Sequence, residues 1–156
     1  MIRMTLAGVR VELPTNQPIV LLKEDEGERY LPIWIGAAEA AAIAFALQGV
    51  VTPRPMTHDL MKNLLEEVGA HIQRIEITEL REGTYYANIN MRMNGNAYEI
   101  SARPSDAIAL AVRVEAPIFA DEEVLTDASI LIPSDEEDEV EKFREFIESV
   151  NPEDFA

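Results

Sequence analysis

One stretch constrains the fold more than any other: residues 103–113, with the sequence RPSDAIALAVR. Its apolar residues recur at helical spacing and leave few exposed polar positions, which predicts a helix packed closely inside the protein. Pro104 suits the first helical position because its missing N–H is not needed there. Ser105 and Asp106 follow in the first turn, where free N–H groups and the helix dipole favour oxygen atoms and negative charge. We therefore expect a functional site where this helix begins, beside Arg103.

The rest of the chain alternates between strand and helix patterns. The apolar run at 19–22 predicts a strand buried on both faces, and Asn94-Gly95 predicts a type I′ hairpin turn. Helices are predicted at 37–48 and 55–68, with Thr57 as N-cap of the second and Leu60, Met61, Leu64, Leu65 and Val68 as its core face. Further strands are predicted at 2–13 with a bulge near Gly8, and at 30–35, 72–80, 84–93, 97–101 and 116–120. The sequence thus predicts an α+β fold with a mixed or mainly antiparallel sheet and three packed helices.

Residues 134–156 form a compositionally separate tail. The tail holds ten acidic and two basic residues, half of the net charge of −16. Ser134 and Glu137 have capping-box spacing, and Val140, Phe143, Ile147 and Val150 share one helical face. We predict an extra C-terminal amphipathic helix here, following a domain at 1–133, with an acidic face that suits solvent or a basic protein partner.

Composition excludes several classes of function. The chain has no cysteine, so disulfides and thiolate metal sites are excluded. It has no apolar run of roughly 20 residues and no signal-peptide pattern, which predicts a cytoplasmic protein without a membrane segment. The charge of −16 disfavours general duplex binding, which depends on Lys and Arg displacing counterions.

Two helix starts share a pattern that suits phosphate chemistry. Residues 54–59 (RPMTHD) and 103–106 (RPSD) each place an arginine and a proline before a hydroxyl and an aspartate. A guanidinium fork and free helix N–H groups bind phosphate or carboxylate. The candidate substrate-binding residues are Arg54, Thr57, Arg103 and Ser105, and the candidate catalytic residues are Glu39, His58, Asp59 and Asp106.

Glu39 begins another predicted helix and supplies a third carboxylate. Three carboxylates that meet repel one another unless a cation or arginines lie among them. If a cation fills this role, Glu39, Asp59 and Asp106 would hold Mg²⁺ or Mn²⁺, which activates water at phosphodiesters. His58 is the better base candidate of the two histidines because it neighbours Asp59. The alternative is that Arg103 only pairs with Asp59 or Asp106 as a structural bridge.

At these residues the sequence resembles the bifunctional nuclease domain family of bacteria and plants. The resemblance runs from the first strand to about residue 131 and excludes the tail. It rests on four motifs in order: LPIWIG at 31–36 with Glu39, RPMTHDL at 54–60, RPSDAIALA at 103–111 and API at 116–118. It implies a compact α+β domain that forms a homo-oligomer, most simply a dimer, and cleavage of DNA and RNA, including single strands, with little sequence choice. The matched motifs contain all eight candidate residues.

Two hypotheses follow from the sequence. In the first, the chain is a divalent-metal-dependent nuclease in which arginines hold the phosphate and His58 moves a proton. In the second, it is a non-catalytic regulatory or interaction module whose helix starts bind a small anion or stabilise the fold. The spatial arrangement of the helix starts that carry Glu39, Asp59 and Asp106 discriminates between them.

Overall fold

A computed structural model describes residues 1–12 and 16–132 of the chain. These residues form eight strands and four helices. The strands are β1 (Ile2–Glu12), β2 (Gln17–Glu24), β3 (Arg29–Trp34), β4 (His71–Arg81), β5 (Thr84–Met93), β6 (Asn96–Ala102), β7 (Ile118–Ala120) and β8 (Ile130–Leu131). The helices are α1 (Ala37–Leu47), α2 (Thr57–Glu67), α3 (Pro104–Val114) and α4 (Glu122–Ala128).

The strands form one mixed sheet in the order β6-β5-β4-β7-β1-β2-β3-β8. Every neighbouring pair is antiparallel except β4 and β7, which are parallel. The predicted α+β class with a mainly antiparallel sheet is therefore confirmed. The predicted bulge is also present: the β1–β2 register shifts between Leu6 and Gly8, and Gly8 has a φ of 153° that other residues rarely adopt.

A hydrogen bond between distant strands shows that the sheet is strongly curled. The Tyr85 hydroxyl of β5 donates to the Pro32 carbonyl of β3 at 3.1 Å. These strands stand five places apart in the strand order, and a flat sheet would separate them by roughly 24 Å. Helix α4 contacts both β3 and β4, and its Val124 and Leu125 are buried. The curl therefore allows both faces of β2 to be buried: residues 19–22 are each at most 9% exposed.

Helix α3 is the buried helix that the sequence predicted. Pro104 is its first residue, and its buried positions include every residue from Ala107 to Ala111. It contacts β4 and β5 on one side and both α1 and α2 on others. Small alanines permit this close approach on several sides at once. The N-terminus of α3 is consequently held beside the other two long helices.

Helix α2 differs from its prediction in two respects. Its N-cap is Met56, and Thr57 is its first helical residue. Leu60, Leu64 and Val68 are 50%, 58% and 60% exposed, so the prediction that they belong to the core is wrong. The helix packs mainly on α3 and not on the sheet, so only part of its apolar surface is covered. Helical periodicity identified a face and could not show how much of it a neighbour would cover.

A buried carboxylate is neutralised away from the helix starts. The guanidinium of Arg29 donates two hydrogen bonds to Glu24, at 3.1 and 3.0 Å, and two to Glu122, at 2.8 and 2.9 Å. These bonds lower the pKa of both carboxyl groups. The guanidinium thereby links the β2–β3 hairpin to α4, and a bidentate pair satisfies the charge of the buried Glu24.

The predicted C-terminal amphipathic helix and acidic tail at 134–156 lie outside the described residues. Among the helices at 1–12 and 16–132, none is both long and apolar enough to cross a membrane.

Candidate functional site

The three long helices begin with the same arrangement of charge. Glu39, Asp59 and Asp106 each occupy the third helical position, after the N-caps Gly36, Met56 and Arg103 respectively. An acidic side chain here lies close to free backbone N–H groups and to the positive end of the helix dipole. From this position it either reaches back to its own N-cap or extends toward a neighbour. A carboxylate that extends toward a neighbouring helix can join a shared site, and one that binds its own N-cap is less able to do so.

Two of the carboxylates extend to one shared guanidinium. Nη2 of Arg103 lies 3.1 Å from Oε1 of Glu39 and 3.0 Å from Oδ2 of Asp106. Nε of Arg103 also donates to Oδ2 of Asp106 at 3.0 Å. The arginine side chain is 66% exposed, whereas those of Glu39 and Asp106 are 19% and 28% exposed. Arg103 therefore joins α1 to α3 while the rest of its guanidinium faces solvent.

Gly36 leaves the space that Glu39 needs. A Cβ placed on Gly36 would overlap Oε2 of Glu39 in its present position. The backbone of Gly36 is extended, with a φ of −80°, so the steric requirement comes from the carboxylate and not from the backbone. The glycine thus leaves room for Oε2 of Glu39, while Oε1 of the same carboxylate contacts Arg103.

His58 joins the same cluster through the other oxygen of Asp106. Its Nε2 lies 2.9 Å from Oδ1 of Asp106, and its side chain is 9% exposed. An ionised carboxylate only accepts hydrogen bonds, so Nε2 is the nitrogen that carries the proton. No buried side-chain nitrogen in the described residues lacks a hydrogen-bond partner, and the hydrogen bond of this ring uses Nε2. Nδ1 therefore retains some access to solvent, and in this tautomer it carries the lone pair of the ring.

The cluster keeps Asp106 ionised. Burial raises the pKa of Asp106, but the hydrogen bonds from His58 and Arg103 outweigh it and leave this pKa below its ordinary value. The bond to Asp106 raises the pKa of Arg103 in return. A charged carboxylate that accepts a hydrogen bond from an imidazole fixes the tautomer of the ring, and such pairs occur both as structural contacts and in general-base catalysis.

Asp59 binds its own N-cap and a different arginine, so it is not part of this cluster. Its Oδ2 accepts the N–H of its own N-cap, Met56, at 3.1 Å, and its Oδ1 accepts Nε of Arg113 at 2.7 Å. Burial raises the pKa of Asp59, but the bonds from Arg113 and Met56 leave it below its ordinary value. Arg113 also donates to the carbonyls of Ala109 and Ala42, at 2.9 and 3.0 Å. Asp59 and Arg113 thus fix the first turn of α2, on which His58 lies.

The structure therefore brings together four of the eight candidate residues: Glu39, His58, Arg103 and Asp106. Arg54 and Thr57 are exposed at the start of α2, and Ser105 is buried at 6% exposure. The three carboxylates do not meet, and within 1–12 and 16–132 no group of three acidic or histidine side chains has a metal-binding arrangement. Sequence reasoning missed Arg113, although a lone charge at the end of an apolar helix is a signal that it needs a partner.

Comparisons with known proteins find similar sequences over most of this chain. A family model described as the bifunctional nuclease domain matches residues 20–133, which include every candidate residue. An uncharacterized protein of Mycobacterium tuberculosis (strain ATCC 25618 / H37Rv) is 52% identical over 159 aligned residues, covering 96% of this chain and 95% of that protein. Bifunctional nuclease 1 of Arabidopsis thaliana is 31% identical over 112 residues, covering 68% of this chain and 34% of its own length. Bifunctional nuclease 1 of Oryza sativa subsp. japonica is 31% identical over 106 residues, covering 66% and 32%.

Proposed function

Because this chain belongs to the bifunctional nuclease domain family, we propose that it hydrolyses phosphodiester bonds in DNA or RNA with little sequence choice. The observation that supports this most is the cluster of His58, Asp106 and Arg103, which combines a base with an anion-binding cation. The names of the plant relatives, which this chain matches over about a third of their length, support the same chemistry.

The proposed reaction assigns one role to each member of the cluster. Nδ1 of His58 takes a proton from the attacking oxygen as that oxygen forms its bond to phosphorus. Asp106 holds the ring through Nε2 and stabilises the imidazolium that forms. The phosphorus–oxygen bond to the leaving oxygen then breaks, and that oxygen takes a proton from solvent.

Arginine side chains supply the proposed phosphate contacts. The exposed part of Arg103 faces solvent, where it would offset the charge that develops on the phosphoryl oxygens. Arg54 is exposed four residues before His58, and none of the ion pairs resolved in the described residues involves it. Arg54 would attract a single strand locally, although the chain as a whole carries a charge of −16.

The sequence-based alternative, a non-catalytic module, uses the same contacts differently. In that case the bonds among Glu39, Arg103, Asp106 and His58 only join three helices, and the burial of His58 favours this role. The two functions differ in what the loss of one charge does. A structural bridge affects stability alone, whereas a catalytic dyad affects the cleavage rate at unchanged stability.

The Asp106→Asn variant tests the proposed function. We expect it to remain folded and to cleave single-stranded oligonucleotides roughly 10²-fold more slowly, because a neutral amide no longer stabilises the imidazolium. The measurement is the initial rate on end-labelled single-stranded RNA and DNA, with thermal unfolding as the check on folding. Glu99→Gln, an exposed carboxylate on the edge strand β6, is the matched control. A folded Asp106→Asn protein with the full wild-type rate would rule out the assignment.

A further inference from the structure

The position between Glu39 and Asp106 is already occupied by a cation. One nitrogen of Arg103, Nη2, contacts both carboxylates at 3.1 and 3.0 Å. A divalent ion shared by two carboxylates would have to enter between the same oxygen atoms. Because an arginine is never deprotonated in a protein, this positive charge is permanent. The fixed guanidinium and a bound metal therefore compete for one place.

Asp59, the third carboxylate of the predicted metal site, forms contacts outside the cluster. Asp59 is held by the N–H of Met56 and by Arg113, whose side chain is only 7% exposed. Bringing Asp59 to the other two carboxylates would break its helix cap and leave the Arg113 charge unpaired. The residues present consequently do not fit a magnesium or manganese site made of Glu39, Asp59 and Asp106.

We propose that Arg103 is the resident cation of this site, and that the site neither binds nor requires a divalent metal ion. Glu39 and Asp106 orient the guanidinium through its Nε and Nη2 atoms, and its remaining N–H groups are left for a phosphate oxygen. The repulsion between the two carboxylates is thereby reduced by a cation that belongs to the chain itself. The expectation that cleavage needs no metal ion rests on the proposed function. The expectation that the site binds no metal ion does not.

Site-resolved metal titration tests the proposal directly. The full-length ¹⁵N-labelled protein is titrated with Mn²⁺, which broadens the amide signals of residues close to a bound ion. The acidic tail also attracts cations, so the readout is restricted to the amides of Glu39 and Asp106, and any broadening of tail signals is counted separately. For the wild-type protein we expect no selective broadening at these two amides. Selective broadening there at stoichiometric Mn²⁺ would overturn the proposal.

The Arg103→Gln variant supplies the converse test. Removal of the guanidinium leaves Glu39 and Asp106 as adjacent unneutralised carboxylates, so we expect this variant to acquire Mn²⁺-dependent broadening at both amides. Arg54→Gln is the matched control, because it removes the same charge from the neighbouring helix start and is expected to acquire none. An Arg103→Gln protein that is folded and shows no broadening would contradict the claim that Arg103 fills a cation position.

Cleavage in a chelator completes the experiment. We expect the wild-type rate on single-stranded RNA to be the same in excess EDTA as in Mg²⁺ or Mn²⁺. A rate that depends on added metal would overturn the proposal and leave the nuclease function standing. If the protein cleaves nothing under any condition, the proposed function fails, and the Mn²⁺ titration still decides whether Arg103 replaces a metal.

Discussion

The His58→Gln variant is expected to lose phosphodiester cleavage by a factor of roughly 10² to 10⁴ while remaining folded. The glutamine amide N–H reaches about as far as Nε2 of the imidazole, so it keeps a donor for Oδ1 of Asp106. It has no counterpart to the Nδ1 lone pair, which accepts the proton in the proposed reaction. The change therefore removes the base and preserves the contact between α2 and α3.

The measurement is the initial rate on end-labelled single-stranded RNA, with wild type and variant purified identically, together with the midpoint of thermal unfolding. His71→Gln is the matched control, because His71 is the other histidine and is exposed at the start of β4. We expect the control to keep the wild-type rate. A His58→Gln protein with wild-type stability and an undiminished rate would show that this imidazole is a structural group only.

The Arg113→Met variant is expected to lower the free energy of unfolding by about 3 kcal/mol. Methionine keeps most of the apolar contacts of the arginine stem, but the hydrogen bonds that the Arg113 side chain adds at the carbonyls of Ala42 and Ala109 are lost. The carboxylate of Asp59 also loses its cationic partner, keeps the N–H of Met56 and rehydrates only in part, since its side chain is 38% exposed. The expected loss is therefore close to that for breaking a partly buried ion pair.

The pH dependence of the stability lost in Arg113→Met separates the contribution of the Asp59 charge from that of the two carbonyl bonds. The folded-state pKa of Asp59 lies below its ordinary value, so the stabilisation from its charge is present at neutral pH and is lost as the pH falls through that lowered value. The difference in the free energy of unfolding between wild type and Arg113→Met should thus become smaller below about pH 4. This difference should not fall to zero, because the bonds from Arg113 to the two carbonyls do not depend on the ionisation of Asp59.

Urea unfolding at pH 7 and at acid pH measures both effects. Arg81→Met is the control: Arg81 pairs with Glu79, both side chains are more than half exposed, and its loss should change stability by at most about 1 kcal/mol. If Arg113→Met lowered the free energy of unfolding by no more than this control does, Arg113 would not fix the first turn of α2.

Much of the site could be predicted because its parts are local. Pro104 at the first helical position and an acidic residue in the first turn of each long helix follow from backbone hydrogen bonding and the helix dipole. The turn at Asn94-Gly95 has positive φ values at both residues, as its type requires, so that strand pairing also followed from the sequence. These features depend on a few neighbouring residues and need no knowledge of tertiary contacts.

The partners of the carboxylates could not be predicted in the same way. Glu39, Asp59 and Asp106 have equivalent positions, yet two of them share Arg103 and the third binds Arg113. Arg113 stands 54 residues from Asp59 along the chain, and only the packing of α2 across α3 brings them together. Local pattern therefore identified the charged groups, while tertiary packing decided which groups form the site.

The cleavage rate of the His58→Gln/Asp106→Asn double variant, compared with those of the two single variants, tests the central claim most directly. Two residues that act as one unit give non-additive losses, so the double variant should be no slower than His58→Gln alone. Losses that multiply, or a double variant that retains the wild-type rate, would contradict a catalytic dyad formed by these two side chains.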